Sequence, residues 1–336
     1  MVKEIKNISV IGDGGWGTTL AIHLSKNNYN VSLWGPFPQY LQQIRKNNYN
    51  RKFLPGIKIP RKINIVDNLK TAIDNCDLIV FAMPSKYTLS TVKKIKSTKI
   101  DLSEKMILSI TKGIDTKRLL RISEIIHSEL GNGLSVSVLS GPTIAMEVAK
   151  GLPSTAVIAS KDLKTAKKLQ SIFNSPNFRI YSSTDIIGVE IGGSIKNIIA
   201  IACGVCDGLG FGSNTKAAIL TRGLAEMSRL GIRLGAKEKT FPGLSGLGDL
   251  VTTCVSPQSR NRSVGEKLGK GRQIDQILSS MDMVAEGVET VKAVYKLSQK
   301  LDISMPITKE VYNIIYKKKS PNKAVSDLML RKTKSE

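Results

Sequence analysis

Apolar positions in the first half of the chain fall into short continuous runs separated by segments with helical spacing. The runs cover residues 8–11, 31–34, 78–82, 106–110 and 136–139. Helical spacing appears between them, over residues 18–27 and 119–130. Continuous apolar strands that alternate with helices are typical of a mostly parallel sheet covered on both faces. The fold class predicted for this half is therefore α/β.

The second half shows a different pattern. From about residue 188 the strand signal ends, and helical periodicity covers residues 195–206, 217–230, 288–301 and 307–316. A length of 336 residues also suits two domains, because single cores rarely grow beyond about 250–300 residues. We expect an N-terminal sheet domain over residues 1–190 and an all-helical domain over residues 191–336.

The longest apolar stretch, residues 186–206, contains Glu190, Lys196, Asn197 and four glycines. A membrane-spanning helix needs about 20 mostly apolar residues, so charges inside the stretch favour a buried helix with a function near Lys196. The apolar run at residues 8–11 is also too short for a signal peptide. We expect no membrane span and a soluble, cytoplasmic protein.

A glycine motif follows the first predicted strand. Gly12, Gly14 and Gly17 form G-x-G-x-x-G ahead of the first helix. In this motif the first glycine permits a tight turn, the second admits a pyrophosphate, and the third lets helix and strand pack closely. The position predicts a Rossmann-type dinucleotide-binding domain, with the pyrophosphate at the helix N-terminus.

The choice between NAD and NADP stays open. An Asp or Glu is expected about 20 residues after the motif, where it would bind the ribose 2′-hydroxyl of NAD. The segment after the second strand, residues 34–39, contains neither a carboxylate nor an arginine. Arg45, Arg51 and Lys52 follow at positions that the sequence does not locate.

The catalytic inventory is small. His23 and His127 are the only histidines and are predicted to be ordinary surface residues of helices. Proton transfer then falls to Lys, Tyr, Asp or Glu, and Lys196 is the candidate because it interrupts an apolar helix. The alternative is a lysine whose stem packs on apolar surface while its ammonium stays solvated.

Cys203 and Cys206 form a C-x-x-C without zinc-ligand partners, which favours core cysteines over a metal site.

The net positive charge of the chain indicates an anionic ligand but does not identify which one. The formal net charge is +23, from 50 Lys and Arg against 27 Asp and Glu. A specific nucleic-acid binder would cluster basic and aromatic residues, but the cations are spread throughout and aromatics make up 5%. A more local signal is the Ser-Arg-Asn-Arg-Ser motif at residues 259–263, where a helix start that begins at Ser259 or Asn261 and carries two arginines, Arg260 and Arg262, can hold a phosphate. A plain helix cap on a basic surface is the alternative.

Taken together, these stretches resemble the bacterial-type soluble NAD(P)-dependent glycerol-3-phosphate dehydrogenase family. The resemblance covers about residues 6–330 and rests on motifs in a specific order. They lie at residues 12–17, 111–113, 140–143, 192–197, 221–227, 246–250, 258–262 and 285–287. The family implies interconversion of dihydroxyacetone phosphate and sn-glycerol 3-phosphate with NAD or NADP, for phospholipid synthesis. It also implies a Rossmann-type domain, a helical domain, a site between them and a homodimer.

The resemblance implies roles for individual residues. Lys196 would transfer the proton at the C2 oxygen of the substrate, with Lys112 and Asp249 as further catalytic residues. The substrate set that the family implies is Lys112, Gly141, Thr143, Lys196, Asn197, Asp249, Thr253, Ser259, Arg260 and Asn261. The cofactor set is Gly12, Gly14, Gly15, Trp16, Gly17, Lys112, Ala145, Arg260, Val284 and Glu286.

Two residues depart from the family pattern. Asp13 occupies the first variable position of the glycine motif, where a carboxylate near pyrophosphate is unfavourable unless it points away. Pro36 stands where many relatives carry a polar or basic residue facing the adenosine ribose. The remaining alternatives are another two-domain dehydrogenase, of the hydroxyacid, 6-phosphogluconate or ketopantoate type, and a catalytically inactive NAD-binding sensor. The presence of Lys112, Lys196 and Asp249 disfavours the sensor.

Overall fold

The computed structural model describes residues 4–281 and 283–333, which form two compact units. The first unit comprises the described residues up to Lys112 together with Leu120–Glu190. The second comprises Gly113–Leu119 and the described residues from Ile191 onward. A short segment thus belongs to the second unit although it precedes the main boundary in the chain.

The first unit is built on an eight-stranded sheet. Its strands are β1 Asn7–Ile11, β2 Asn30–Trp34, β3 Asn64–Val66, β4 Leu78–Phe81, β5 Met106–Ser109, β6 Val136–Ser140, β7 Ser154–Ala159 and β8 Phe178–Ser183. They lie in the order β3-β2-β1-β4-β5-β6-β7-β8. Every neighbouring pair is parallel except β6 with β7. The predicted mostly parallel sheet is confirmed.

Apolar side chains alternate between the two faces of this sheet. On β1, Val10 joins the core on one face and Ile11 the core on the other. Helices cover both cores: α1 Gly15–Lys26, α2 Pro38–Asn47, α3 Leu69–Asp74, α4 Ser85–Ser97, α5 Ile122–Leu130, α6 Ala145–Ala149 and α7 Leu163–Phe173. Because both faces are buried, the strands read as continuous apolar runs rather than alternating ones.

The second unit is helical, as predicted. Its long helix α8, Ile186–Gly208, starts in the first unit and continues into the second. The other helices are α9 Ser213–Arg233, α10 Asp249–Val255, α11 Arg260–Gly269, α12 Ile274–Ser279, α13 Glu286–Lys300, α14 Pro306–Lys317 and α15 Pro321–Met329. A 3₁₀ turn at Glu238–Thr240 and a π-helical turn at Leu244–Gly248 precede α10.

Helix α8 has the length and hydropathy of a membrane-spanning helix. Its most apolar 18-residue window has a mean hydropathy of 1.6, yet 94% of that window is buried inside the protein. Such burial is typical of the core helix of a soluble protein. The prediction of a buried helix at this stretch is confirmed.

Two helix starts differ from the sequence prediction. Helix α1 begins at Gly15 rather than at residue 18, because glycines carry no apolar signal at a helix start. Helix α5 begins at Ile122 rather than at residue 119. Leu119 has a positive φ of 59°, and the Arg121 backbone N–H donates 2.8 Å to Glu124 Oε2 at the start of the helix.

Candidate active site

The glycine motif lies at the point where the strand order reverses. Gly12 follows β1 with a φ of 128°, and a Cβ there would lie 2.6 Å from the carbonyl oxygen of Ala82, just past β4. A Cβ on Gly17 would lie 2.0 Å from the Gly12 oxygen. Glycine is therefore required at both positions. In open α/β sheets, ligands bind at the carboxyl ends of the strands at this reversal.

The start of α1 offers an open surface for an anion. Gly14 caps the helix without a side-chain hydrogen bond, and a Cβ there would meet no atom within 4 Å. The first N–H groups of a helix have no intrahelical partner and carry the positive end of its dipole. The loop therefore fits the pyrophosphate of a dinucleotide.

Ala145, a residue of the predicted cofactor set, lies beside the glycine motif. A Cβ on Gly15 would be 3.9 Å from Ala145 Cβ and 2.5 Å from the Phe53 carbonyl oxygen. The Thr19 hydroxyl donates a 3.1 Å hydrogen bond to the Ala145 carbonyl. Helix α6 thus packs its N-terminus against α1 next to the anion-binding surface.

Trp16 is held by packing. Its ring meets Phe178 edge to face, with centroids 6.2 Å apart. Its indole Nε1 is buried and has no hydrogen-bond partner among the described residues. A direct role in cofactor binding stays a prediction.

Asp13 turns its carboxyl group toward the end of β2. A Cβ built on Gly35 would lie 2.5 Å from Asp13 Cγ. The Asp13 backbone carbonyl accepts 2.7 Å from Asn50 Nδ2 and 3.2 Å from the Thr18 hydroxyl, which fixes the loop. Asp13 is only 6% exposed, and this burial raises its pKa to about 6, against the lowering effect of its own backbone N–H.

Three residues of the predicted substrate set meet at the end of β6 in the first unit. Lys112 Nζ donates to the Gly141 carbonyl at 3.3 Å, and the Thr143 hydroxyl donates to the same oxygen at 3.1 Å. Gly141 has a φ of 152°, and a Cβ there would lie 2.8 Å from Ala156 Cα. Glycine at this position therefore lets the loop approach β7.

Lys196 is buried in the second unit, where its ammonium forms an ion pair with Asp249. It also donates 2.8 Å to the Thr253 hydroxyl, which in turn donates 2.7 Å to the Asp249 carbonyl. Lys196 is 6% exposed and Asp249 1%. The alternative of a lysine with a solvated ammonium is therefore wrong for Lys196.

The π-helical turn before α10 sets the position of Asp249. A Cβ on Gly246 would lie 2.0 Å from the Phe241 carbonyl oxygen, and Leu247 N–H donates 2.8 Å to that oxygen. A Cβ on Gly192 would lie 2.3 Å from the Ser245 oxygen. The glycine-dense loop therefore packs directly on α8, one residue ahead of the carboxylate. π-turns of this kind occur often at functional sites.

Asn197 and Asn261 form a second polar pair beside the lysine. Asn261 Nδ2 donates 2.9 Å to Asn197 Oδ1, and Asn261 Oδ1 accepts 2.9 Å from Gly287 N–H. Asn197 Nδ2 is buried and has no partner among the described residues. An unpaired buried amide is costly, so this N–H₂ group is a ready donor for a ligand oxygen.

Glycines explain why two helices come close enough for this pair. A Cβ on Gly204 of α8 would lie 2.0 Å from the Arg262 oxygen, and one on Gly265 of α11 would lie 2.0 Å from the Ile201 oxygen. The backbones of α8 and α11 therefore touch. This approach sets Asn261 against Asn197.

The predicted phosphate-binding residues lie at the start of α11. Ser259 caps the helix by accepting 3.2 Å from Arg262 N–H. The exposed Arg260 donates 2.9 Å to the Val284 carbonyl, just before Glu286 begins α13. Arg262, the second arginine of the predicted pair, is directed elsewhere, because its Nε donates 2.7 Å to Asp207. Ser259, Arg260, Val284 and Glu286 are thus neighbours.

Glu190 has a partner that the sequence did not reveal. It accepts 2.8 Å from Ser123 N–H and 2.6 Å from the Ser123 hydroxyl, and it pairs with Arg121 at 2.5 Å. These bonds tie the first turns of α8 to α5. The visible signal was a carboxylate inside an apolar stretch.

Both histidines lie on helices, as predicted, but neither is fully exposed. Both are half-buried. His23 Nε2 lies 2.7 Å from the Phe173 carbonyl, and burial lowers the pKa of His23. Cys203 and Cys206 are buried free thiols, as are Cys76 and Cys254. Among the described residues, no group of three or more His, Cys, Asp or Glu side chains could hold a metal ion.

The sheet with its glycine loop and the buried lysine define a dinucleotide-dependent oxidoreductase. Family models match both halves of the chain: the NAD-dependent glycerol-3-phosphate dehydrogenase N-terminus over residues 7–166 and its C-terminus over residues 185–326. The chain belongs to the NAD-dependent glycerol-3-phosphate dehydrogenase family.

Individual relatives match along the whole chain. A glycerol-3-phosphate dehydrogenase (NAD(P)+) of Prosthecochloris aestuarii is 48% identical, over 98% of this chain and 99% of the relative. One from Chlorobium phaeobacteroides is 46% identical, over 98% of each chain. The crystal structure of glycerol-3-phosphate dehydrogenase from Coxiella burnetii has a TM-score of 0.93 at 36% identity, over 97% of this chain and 99% of that one.

Proposed function

We propose that the chain interconverts dihydroxyacetone phosphate and sn-glycerol 3-phosphate, using NADH or NADPH as the reductant. The observation that carries this function is the buried ammonium of Lys196, held by Asp249 and Thr253. Family membership supports the same substrate pair. The product would supply the backbone of glycerophospholipids.

The glycine loop of the first unit would hold the cofactor. Gly12, Gly15 and Gly17 let the loop pack closely on the surrounding backbone, and Gly14 leaves open space for the pyrophosphate against the N–H groups of α1. When bound, NADH or NADPH supplies a hydride for C2 of the substrate. Trp16, Lys112, Ala145, Arg260, Val284 and Glu286 complete the proposed cofactor set.

Lys196 is the proposed acid in the reducing direction. As C2 accepts hydride, Nζ donates a proton to the carbonyl oxygen, which becomes the C2 hydroxyl, and the lysine then regains a proton from solvent. In the oxidising direction, neutral Lys196 accepts the proton from that hydroxyl. Asp249 and Thr253 fix the position of Nζ, which prepares it for proton transfer with a bound substrate.

Hydrogen-bond donors near Lys196 suit the rest of the substrate. Asn197 Nδ2 offers an unpaired N–H₂ group, and Asn261 holds the Asn197 amide in one orientation. The guanidinium of Arg260 and the Ser259 turn suit a phosphate group. Lys112, Gly141 and Thr143 are proposed as further substrate contacts.

A spectrophotometric assay tests this function. NADH and NADPH oxidation would be followed separately with dihydroxyacetone phosphate, and with ketopantoate as the substrate of a rival dehydrogenase type. We expect turnover with dihydroxyacetone phosphate alone. Turnover with ketopantoate instead, or with neither substrate, would contradict the proposal.

We also propose an oligomeric state and a cellular location for the protein. A homodimer in the cytoplasm is proposed from the family and from four buried free thiols, which suit a reducing compartment. Light scattering coupled to size-exclusion chromatography measures the mass in solution. A monomeric mass at working concentration would contradict the dimer.

A further inference from the structure

The geometry points to Asp13 as the residue that contacts the adenosine ribose and makes the chain select NAD(H) over NADP(H). This inference rests on the proposed dinucleotide-dependent function and names the specificity determinant within it. It starts from the carboxylate that the sequence lacks after β2.

In NAD-binding sheets of this type, a carboxylate about 20 residues past the glycine motif binds the ribose 2′-hydroxyl. Here the end of β2 is followed by Gly35, which has no side chain. A Cβ built on Gly35 would lie 2.5 Å from Cγ, 2.6 Å from Oδ2 and 2.8 Å from Oδ1 of Asp13. The carboxyl group of Asp13 therefore occupies the space of a side chain at Gly35.

The Asp13 carboxyl group has unused hydrogen-bonding capacity. Only 6% of Asp13 is exposed, and its Oδ2 has no hydrogen-bond partner among the described residues. Burial raises the pKa of this carboxyl group to about 6, although its own backbone N–H acts in the opposite direction, so the group is mostly ionised at neutral pH. The torsion about Cβ–Cγ of an aspartate is soft, so either oxygen can turn to meet a ribose hydroxyl.

The turn after β2 contains no cation that would favour a 2′-phosphate, and two of the three cations that follow it have other partners. Residues 35–38, after β2, read Gly-Pro-Phe-Pro. Arg45 donates 2.8 Å to the Ile65 carbonyl and pairs with Asp67 at 3.2 Å. Lys52 places its ammonium over the Phe53 ring, 5.5 Å from the centroid.

A carboxylate at this position would distinguish the ribose of NAD(H) from the phosphorylated ribose of NADP(H). A ribose hydroxyl donates a hydrogen bond to a carboxylate and relieves its desolvation. A 2′-phosphate has no such hydrogen to donate near neutral pH, and its negative charge repels the carboxylate. Binding energy is therefore gained with NAD(H) and lost with NADP(H).

Direct binding measurements test the inference. Titration calorimetry would give the Kd of NADH and NADPH for the wild type and for Asp13→Asn, with the exposed Asp101→Asn as a control that changes the same charge elsewhere. We expect NADH to bind more tightly than NADPH by about tenfold or more. Asp13→Asn should bring the two Kd values to within about threefold, and Asp101→Asn should leave the ratio unchanged.

A double variant tests the position of the carboxylate. Asp13→Gly combined with Gly35→Asp returns the carboxylate to the end of β2 and removes the overlap, so we expect it to regain NADH selectivity. Circular dichroism confirms that each variant is folded. Equal Kd values in the wild type, tighter NADPH binding, or a ratio that Asp13→Asn does not change would overturn the inference.

The outcome is independent of the substrate. Selective NADH binding without turnover of dihydroxyacetone phosphate would contradict the proposed function and leave the role of Asp13 standing. Turnover of dihydroxyacetone phosphate without any preference for NADH over NADPH in binding would support the proposed function and contradict the role of Asp13.

Discussion

Lys196 Nζ lies 2.8 Å from the hydroxyl oxygen of Thr253, whose own proton is directed to the Asp249 carbonyl. The threonine proton is thus engaged, so its lone pair faces the ammonium. Together with the Asp249 carboxylate, this holds Nζ in one place. The lysine is positioned before any substrate arrives.

Replacement of Lys196 by alanine should abolish turnover. Acid–base groups contribute about 10²–10⁴-fold to rate, so we expect kcat to fall by at least about a hundredfold. The Kd for NADH, measured by calorimetry, should change little. The exposed Lys300→Ala is the matched control and should keep full activity. A Lys196→Ala variant that retains more than about a tenth of wild-type kcat would contradict proton transfer by this lysine.

Thr253 should act through position rather than by contact with the reacting atoms. Thr253→Val keeps the shape but removes the oxygen that Lys196 bonds. We expect kcat to fall about tenfold, since a hydrogen bond to a charged group is worth about 1.5–3 kcal/mol. Thr253→Ser restores the hydroxyl and should recover most of the rate. Equal rates for the valine and serine variants would show that the hydroxyl has no such role.

Arg260 and Arg262 are neighbours in sequence with different expected phenotypes. Arg260 is exposed, whereas the Arg262 guanidinium is bonded to Asp207. Arg260→Ala should raise the KM for dihydroxyacetone phosphate by about tenfold to a hundredfold, the range of one charged phosphate contact. Arg262→Ala should lower stability in urea unfolding while KM stays near the wild-type value. An unchanged KM for Arg260→Ala would refute the phosphate assignment.

The sequence predicted those features that depend on local pattern. Continuous apolar runs predicted the parallel sheet, and the spacing of Gly12, Gly14 and Gly17 predicted the loop between β1 and α1. The start of α5 was missed because it depends on a positive φ at Leu119 and on the hydrogen bond from Arg121 N–H to Glu124, neither of which has an apolar period.

Features that join distant parts of the chain could be predicted only in part. Family motifs placed Asn197 and Asn261 in one substrate set, but their hydrogen bond spans 64 residues and depends on the close approach of α8 to α11. The direction of the Asp13 carboxyl group depends on the missing side chain of Gly35. Neither relationship leaves a periodic signal in the sequence.

Because α8 and α11 lie so close together, adding one methyl group at Gly265 should destabilise the fold. A Cβ on Gly265 would lie 2.0 Å from the Ile201 carbonyl oxygen, so Gly265→Ala must separate the helices. We expect a loss of about 1–3 kcal/mol in the free energy of unfolding, as for overpacked cores, and a higher KM through the displaced Asn261. Gly133→Ala is the control, because a Cβ there meets no atom within 4 Å. Equal stability of the two variants would contradict the close helix contact.

The raised pKa of Asp13 predicts a pH-dependent gain in stability for Asp13→Asn. The carboxyl group has a pKa of about 6 in the folded chain against an ordinary value of 3.8, so the folded state holds the proton more tightly. The free energy of unfolding of the wild type therefore loses a contribution as pH rises from about 4 to 6, and the loss is complete above that window. A shift of one pKa unit corresponds to about 1.36 kcal/mol, so the ionised Asp13 lowers the free energy of unfolding by about 3 kcal/mol at neutral pH.

Asparagine has no such charge to bury. Urea unfolding at pH 4, 5, 6 and 7 should therefore show a difference between variant and wild type that is small at pH 4, grows to pH 6 and stays level at pH 7. Subtracting the wild type cancels the titration of the other groups, which both chains share. A difference that is constant over this range, or one that shrinks as pH rises, would mean that the Asp13 carboxyl group is not buried with a raised pKa in the cofactor-free chain.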